Sequence, residues 1–123
     1  KAVKNLWENV IKIRNLKKST SYIYTILSPE EYNEKLNNDF VKDILETIPE
    51  IEELAVETNE IMIETEKYRP FLNEYLWGLF SVYNAFSTRL TYKLKENSKK
   101  KNIKVWYEDE GLNYLMKTFF FFF

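Results

Sequence analysis

The chain contains neither cysteine nor histidine. Without cysteine there is no disulfide framework and no thiolate metal site. Without histidine the usual general base near neutral pH, the commonest transition-metal ligand and every Ser/His or Cys/His nucleophile pair are missing. Its two glycines, Gly78 and Gly111, stand far apart, so there is no Gly-rich phosphate loop. With only three prolines besides, tight turns are few, which favours long helices over a strand-rich fold. Long hydrophobic runs are also missing. The most apolar stretch, Tyr75 to Phe86, is interrupted by polar residues and too short to span a bilayer. The first segment mixes charged and apolar residues at helical spacing, unlike a signal peptide. A cytoplasmic location is expected on these grounds. Lys1 stands where an initiator methionine would be, which reads as a processed product or a piece of a longer polypeptide.

Aromatic residues, by contrast, make up 17% of the 123 positions. A chain of this length suits one domain, residues 1–123, with a single core built from large rings. The densest segment runs from Pro70 to Leu94 and carries Phe71, Leu72, Tyr75, Leu76, Trp77, Leu79, Phe80, Val82, Tyr83, Phe86 and Leu90. That density demands burial.

Periodicity predicts an all-α fold, a bundle of about five helices. Leu6, Trp7, Val10 and Ile11 recur at three and four, placing them on one face of a first helix that ends near Lys17 and Lys18. Ser19 to Ser21 reads as a break, and Tyr22 to Leu27 as a short helix. Ser28, Pro29 and Glu31 form a capping signature, and Leu36, Phe40, Val41, Ile44, Leu45 and Ile48 line the helix it opens. Thr47 to Glu50 repeats the capping pattern ahead of a third helix with Ile51, Leu54, Ile61 and Met62 on one side. Pro70 leaves two architectures open: a corner at Arg69, giving a globular bundle, or one long helix kinked at Pro70. A basic loop, Asn97 to Asn102, precedes the last helix, with Trp106 and Tyr107 read as core anchors at its start. The terminal run Phe119 to Phe123 reads as a tail that plugs the core, a membrane or partner contact, or an artefact.

Charge is segregated along the chain. Residues 1–18 carry a net +5, residues 28–66 a net −11, residues 67–104 a net +7 and residues 105–123 a net −2. The acidic middle is therefore open to neutralisation by the basic flanks, in the same molecule or in a neighbour.

Three candidate sites emerge. Glu53, Glu57, Glu60 and Glu64 share one helix face within about 60°, the residue type with which helical metal-dependent hydrolases hold magnesium. The stripe lies opposite the apolar arc of its helix, however, whereas carboxylate sites in bundles point inward. Lys99, Lys100, Lys101 and Lys104, close to Trp106 and Tyr107, combine phosphate-binding charge with rings for base stacking. Finally, helix projection puts Val56 and Ile63 away from the apolar arc of the third helix, and Trp77 between Asn73, Ser81 and Asn84 on the polar side of the fourth. Those three residues are partner-contact candidates.

The reading that follows is a helical protein–protein interaction module: an oligomerising, adaptor or regulatory subunit of a larger assembly. No catalytic residue, cofactor or metal ligand is assigned. A nucleic-acid-associated accessory protein is the alternative, and a magnesium-dependent hydrolase the remote one.

Overall fold

The structure is a computed structural model that describes the backbone of residues 1–121 and the side chains of residues 1–118. The side chains of Phe119 to Phe123 lie outside the described residues, and with them the readings made of that run. The fold is all-α: seven helices and no strand among the described residues. In chain order they are α1 (Ala2–Leu16), α2 (Lys18–Ile26), the single turn α3 (Glu31–Glu34), α4 (Asp39–Glu46), α5 (Ile51–Glu66), α6 (Glu74–Lys99) and α7 (Glu110–Phe121). Short 3-10 turns at Arg69–Phe71 and Trp106–Glu108 lead into the last two. Among the described residues no helix is long and apolar enough to cross a membrane.

Local chemistry explains where the helices stop. The Glu31 carboxylate accepts from the Ser28 backbone N–H at 3.1 Å, the reciprocal half of the expected capping box, and that bond holds Glu31 below the usual carboxylate range. The helix it opens is cut after one turn. Asn38 then starts α4 by accepting from the backbone N–H groups of Phe40 and Val41. Thr47 closes α4 rather than opening the next helix: its hydroxyl donates back to the Ile44 carbonyl at 2.6 Å, and α5 begins after Glu50. The expected break at Ser19 to Ser21 falls earlier, at Lys17, and those three residues lie inside α2.

At Pro70 the chain turns a corner, and the long kinked helix does not form. Proline has no N–H to continue the ladder of α5, so the backbone tightens into a 3-10 turn with Phe71 N–H bonded to the Tyr68 carbonyl at 2.9 Å. The cap for the next helix lies three residues beyond the proline. The Asn73 side chain accepts from the Leu76 N–H at 2.7 Å.

Helix α6 is the spine. Its 26 residues span about 39 Å, and α1, α5 and α7 all pack against it. Two apolar cores sit at its two ends. Near its N-terminus, Trp77 and Phe80 pack with Leu6 and Ile13 of α1, Ile61 of α5 and Leu72. Near its C-terminus, Leu94 packs with Ile23, Tyr32, Val41, Leu45, Ile48 and Ile103. Asn33 secures the last of these by accepting from the Ile103 N–H at 2.7 Å and donating to its carbonyl at 3.2 Å.

Between the two cores runs a buried polar seam. Thr20 of α2 donates to Thr91 of α6 at 3.1 Å, and Thr91 in turn donates to the Ser87 carbonyl at 2.8 Å. Thr20, Ser87 and Thr91 are all buried.

Candidate functional site

The basic loop is the first place to look for a binding surface. Lys99 pairs with Glu50, which also lies 3.6 Å from the nearly buried Lys95. Lys99 and Lys101 line a cleft of about 230 Å³ together with Lys42 and Lys95. Lys100 and Lys104 instead line a groove of about 440 Å³ that reaches Tyr24, Trp106 and Leu112. There Lys93, Lys100 and Lys104 meet Glu96, Glu108 and Asp109, with Lys100 3.8 Å from Glu96. The fold thus divides the four candidate lysines between two clefts and supplies each with acidic neighbours. Burial pushes the Tyr24 phenol at the groove well above its ordinary value, so it stays protonated. Trp106 is half-buried, its ring edge-on to Phe86 at 5.6 Å, while Tyr107 is exposed and is not a core anchor. Its position in a 3-10 turn, one residue beyond Trp106, directs it outward.

Asp109, one of the residues lining this groove, is paired with Arg89. Arg89 Nε donates to Asp109 Oδ2 at 2.6 Å and Nη2 to Oδ1 at 3.1 Å. Asp109 Oδ2 also accepts from the Leu112 N–H at 2.9 Å, so the same carboxylate caps α7. The Arg89 bonds lead in holding Asp109 below the usual carboxylate range. A depressed carboxylate contributes stability above its unfolded value of about 3.9, and that contribution is lost as pH falls through the lower folded value.

Gly111 completes the arrangement, because a Cβ there would collide with the guanidinium of Arg89. Alanine at 111 must therefore displace Arg89 from Asp109. We expect Gly111→Ala to destabilise the protein by about 1 kcal/mol, the lost charge-assisted pair outweighing the helix propensity gained. In an Arg89→Ala background the same change should stabilise by about 0.5 kcal/mol. Urea denaturation of the four proteins reads this sign change, and a Gly111→Ala that stabilises both backgrounds would refute it.

The carboxylate stripe of α5 divides as well. Glu64 accepts from Lys67 at 3.1 Å and from Asn5 of α1 at 3.4 Å, the lysine being the main reason it titrates low. Glu57, Glu60 and Glu64 share a shallow cleft with Lys12, Asn15 and Leu16. Among the described residues no cluster of His, Cys, Asp or Glu is placed to hold a metal ion.

Of the three partner-contact candidates, Trp77 requires correction. It is only 7% exposed and belongs to the N-terminal core. Projection of one helix placed it on a polar side, but that side is buried too: Asn84, Ser87 and Thr91 are all covered by neighbouring helices. The Arg69 guanidinium lies 4.8 Å from the centre of its ring, closing the Pro70 corner over it.

Val56 and Ile63 are exposed, at 57% and 52%. At about 100° per residue they point almost directly away from the buried Leu54, Ile61 and Thr65 of the same helix. The turn between them carries the exposed Asn59 and Glu60.

One surface escaped the sequence reading. Val3 and Trp7 of α1 are each 64% exposed. The spacing of Leu6, Trp7, Val10 and Ile11 placed all four on one buried face. Leu6 and Trp7 are nevertheless adjacent, hence about 100° apart on the helix, and only Leu6 faces the core.

Compared with known proteins, this chain matches no protein family, no curated protein and no solved structure.

Proposed function

We propose that the protein is a helical interaction module whose docking surface is the outer face of α5, and that its partner is a basic amphipathic helix. The observation that carries this is the exposure of Val56 and Ile63, two turns apart and turned away from the core, on a helix face crowded with acids. Glu52, Glu53, Glu60 and Glu66 are exposed around them, and none of the four forms a salt bridge within the described residues. Like charges this close on one helix repel each other. A partner that brings lysine or arginine relieves the repulsion while covering the two apolar side chains. This is the helix-on-surface mode of recognition, with apolar anchors giving affinity and charge giving orientation and on-rate. The module would serve as an oligomerising, adaptor or regulatory subunit.

A labelled synthetic helix of leucine and lysine in heptad spacing tests the proposal by fluorescence anisotropy. It should bind the wild-type protein more weakly as salt rises, and binding should fall at least tenfold in Ile63→Lys. A leucine/glutamate helix should not bind. Equal binding of the basic helix to wild type and Ile63→Lys would overturn the assignment of the face.

A further inference from the structure

We infer that the basic helix received by the α5 face is α1 of a second copy of this chain, so that copies join head to tail. This rests on the reading of α5 as a docking surface and adds the identity of its occupant. The exposed side of α1 has the complementary chemistry. Val3 and Trp7 form a one-turn apolar pair with the exposed Lys4 next to Val3 and the exposed Arg14 two turns further along the same face. Neither of these two cations forms a salt bridge within the described residues. One helix therefore presents apolar side chains among unpaired bases, and the other presents apolar side chains among unpaired acids.

The spacing also fits. Val56 and Ile63 lie about 10.5 Å apart along α5, with the exposed Asn59 and Glu60 on the turn between them. Trp7 is the exposed ring on α1, and seated between those two residues its indole N–H would have the Asn59 or Glu60 side chain as acceptor. Tryptophan is the residue type most enriched among interface anchors. The segregation of charge, +5 over residues 1–18 against −11 over residues 28–66, acquires an intermolecular role.

Geometry excludes the simpler two-fold dimer. Asn5 and Asn9 of α1 bond to Glu64 and Thr65 of α5, and Lys12 and Leu16 line the cleft against it. Val3 and Trp7 project from the other side of α1, more than 100° round from Asn5 and Lys12. The Val56–Ile63 face points away from α1 and α6 alike. The two surfaces thus look in different directions, and one two-fold axis cannot seat both. Such a contact is heterologous, and it builds rings or open chains.

The test uses two full-length variants, each blocking one surface. Trp7→Glu spoils the α1 face and Ile63→Lys the α5 face; both positions are exposed, and circular dichroism should show unchanged helicity. By light scattering the wild type should grow beyond a dimer as concentration rises, and low salt should promote that growth. Each variant alone should remain monomeric. Mixed in equal amounts they should form a dimer and stop there, because only one intact pair of faces remains. A mixture that stays monomeric, or a single variant that still assembles, overturns the inference. If the wild type is monomeric up to about 1 mM while the leucine/lysine helix still binds it and not Ile63→Lys, α5 remains a docking face and its partner is another protein. If that helix also fails to bind, both readings fall together.

Discussion

Trp77→Ala is expected to lower folding stability by about 3–5 kcal/mol, with no change of mass in the molecules that remain folded. The indole is almost fully buried among Leu6, Ile13, Ile61, Leu72 and Phe80, its centroid 6.0 Å from that of Phe80. Removing it forfeits the transfer free energy of the largest side chain. It also leaves a cavity whose walls belong to α1, α5, α6 and the Pro70 corner, elements that cannot all move inward at once. Arg69 loses the ring face it rests on. A small domain has a total stability of only about 5–15 kcal/mol, so the variant should unfold at markedly lower urea. The midpoint of a urea titration followed by circular dichroism measures this. A loss below about 1 kcal/mol would show that the ring is not the keystone of its core. Trp7→Ala is the control: that ring is mostly in solvent, and its truncation should cost the monomer well under 1 kcal/mol.

The other large effect belongs to the opposite end of α6. Leu94 is fully buried, and the side chains around it come from α2, α3, α4, the α4–α5 connection and the segment at Ile103. Most of these pieces are short. α3 is four residues and α4 is eight, too short to persist as isolated helices. Their order depends on a common apolar centre, which Leu94 supplies from the one long helix among them. We expect Leu94→Ala to cost about 2–5 kcal/mol. Protease digestion under native conditions should then cut first between Ser28 and Ile48. Cleavage confined to the α1 or α5 segments instead would show that Leu94 does not organise this half.

How much of this was readable from the chain depends on the range of the forces involved. Helical periodicity and capping are local, and they gave the helical class and, though not its start, the α2 segment; at Ser28 only the Glu31 half of the capping box forms, and α3 begins at Glu31. Asn38 and Asn73 act as caps, but each lies inside a stretch whose apolar pattern runs on through it, so the breaks at α4 and α6 were not read there. The burial of Trp77 was not legible, because it depends on which helices surround α6. A projection treats a helix as having one partner, and α6 packs against α1, α2, α5 and α7. The same limitation hid Trp7, whose exposure results from α1 touching α5 with one side and α6 with another. Val56 and Ile63 were legible because both stand opposite an apolar arc that one core satisfies. For the basic loop, sequence gave the lysines but not their partition, which is set by a bend where Lys101 adopts a positive φ of 55° and sends the chain back along α6.

The seam of Thr20, Ser87 and Thr91 has a consequence for how the molecule comes apart. The Thr20–Thr91 hydroxyl bond holds α2 in register on α6, but such a bond provides little of the water-driven cohesion that makes a single core melt as a unit. We therefore expect the two apolar clusters to open as separate cooperative units. Among the described residues, only α6 contributes buried apolar side chains to both. The α1 and α5 faces both belong to the unit around Trp77, so the half gathered around Leu94 can fray and re-form while they stay in place.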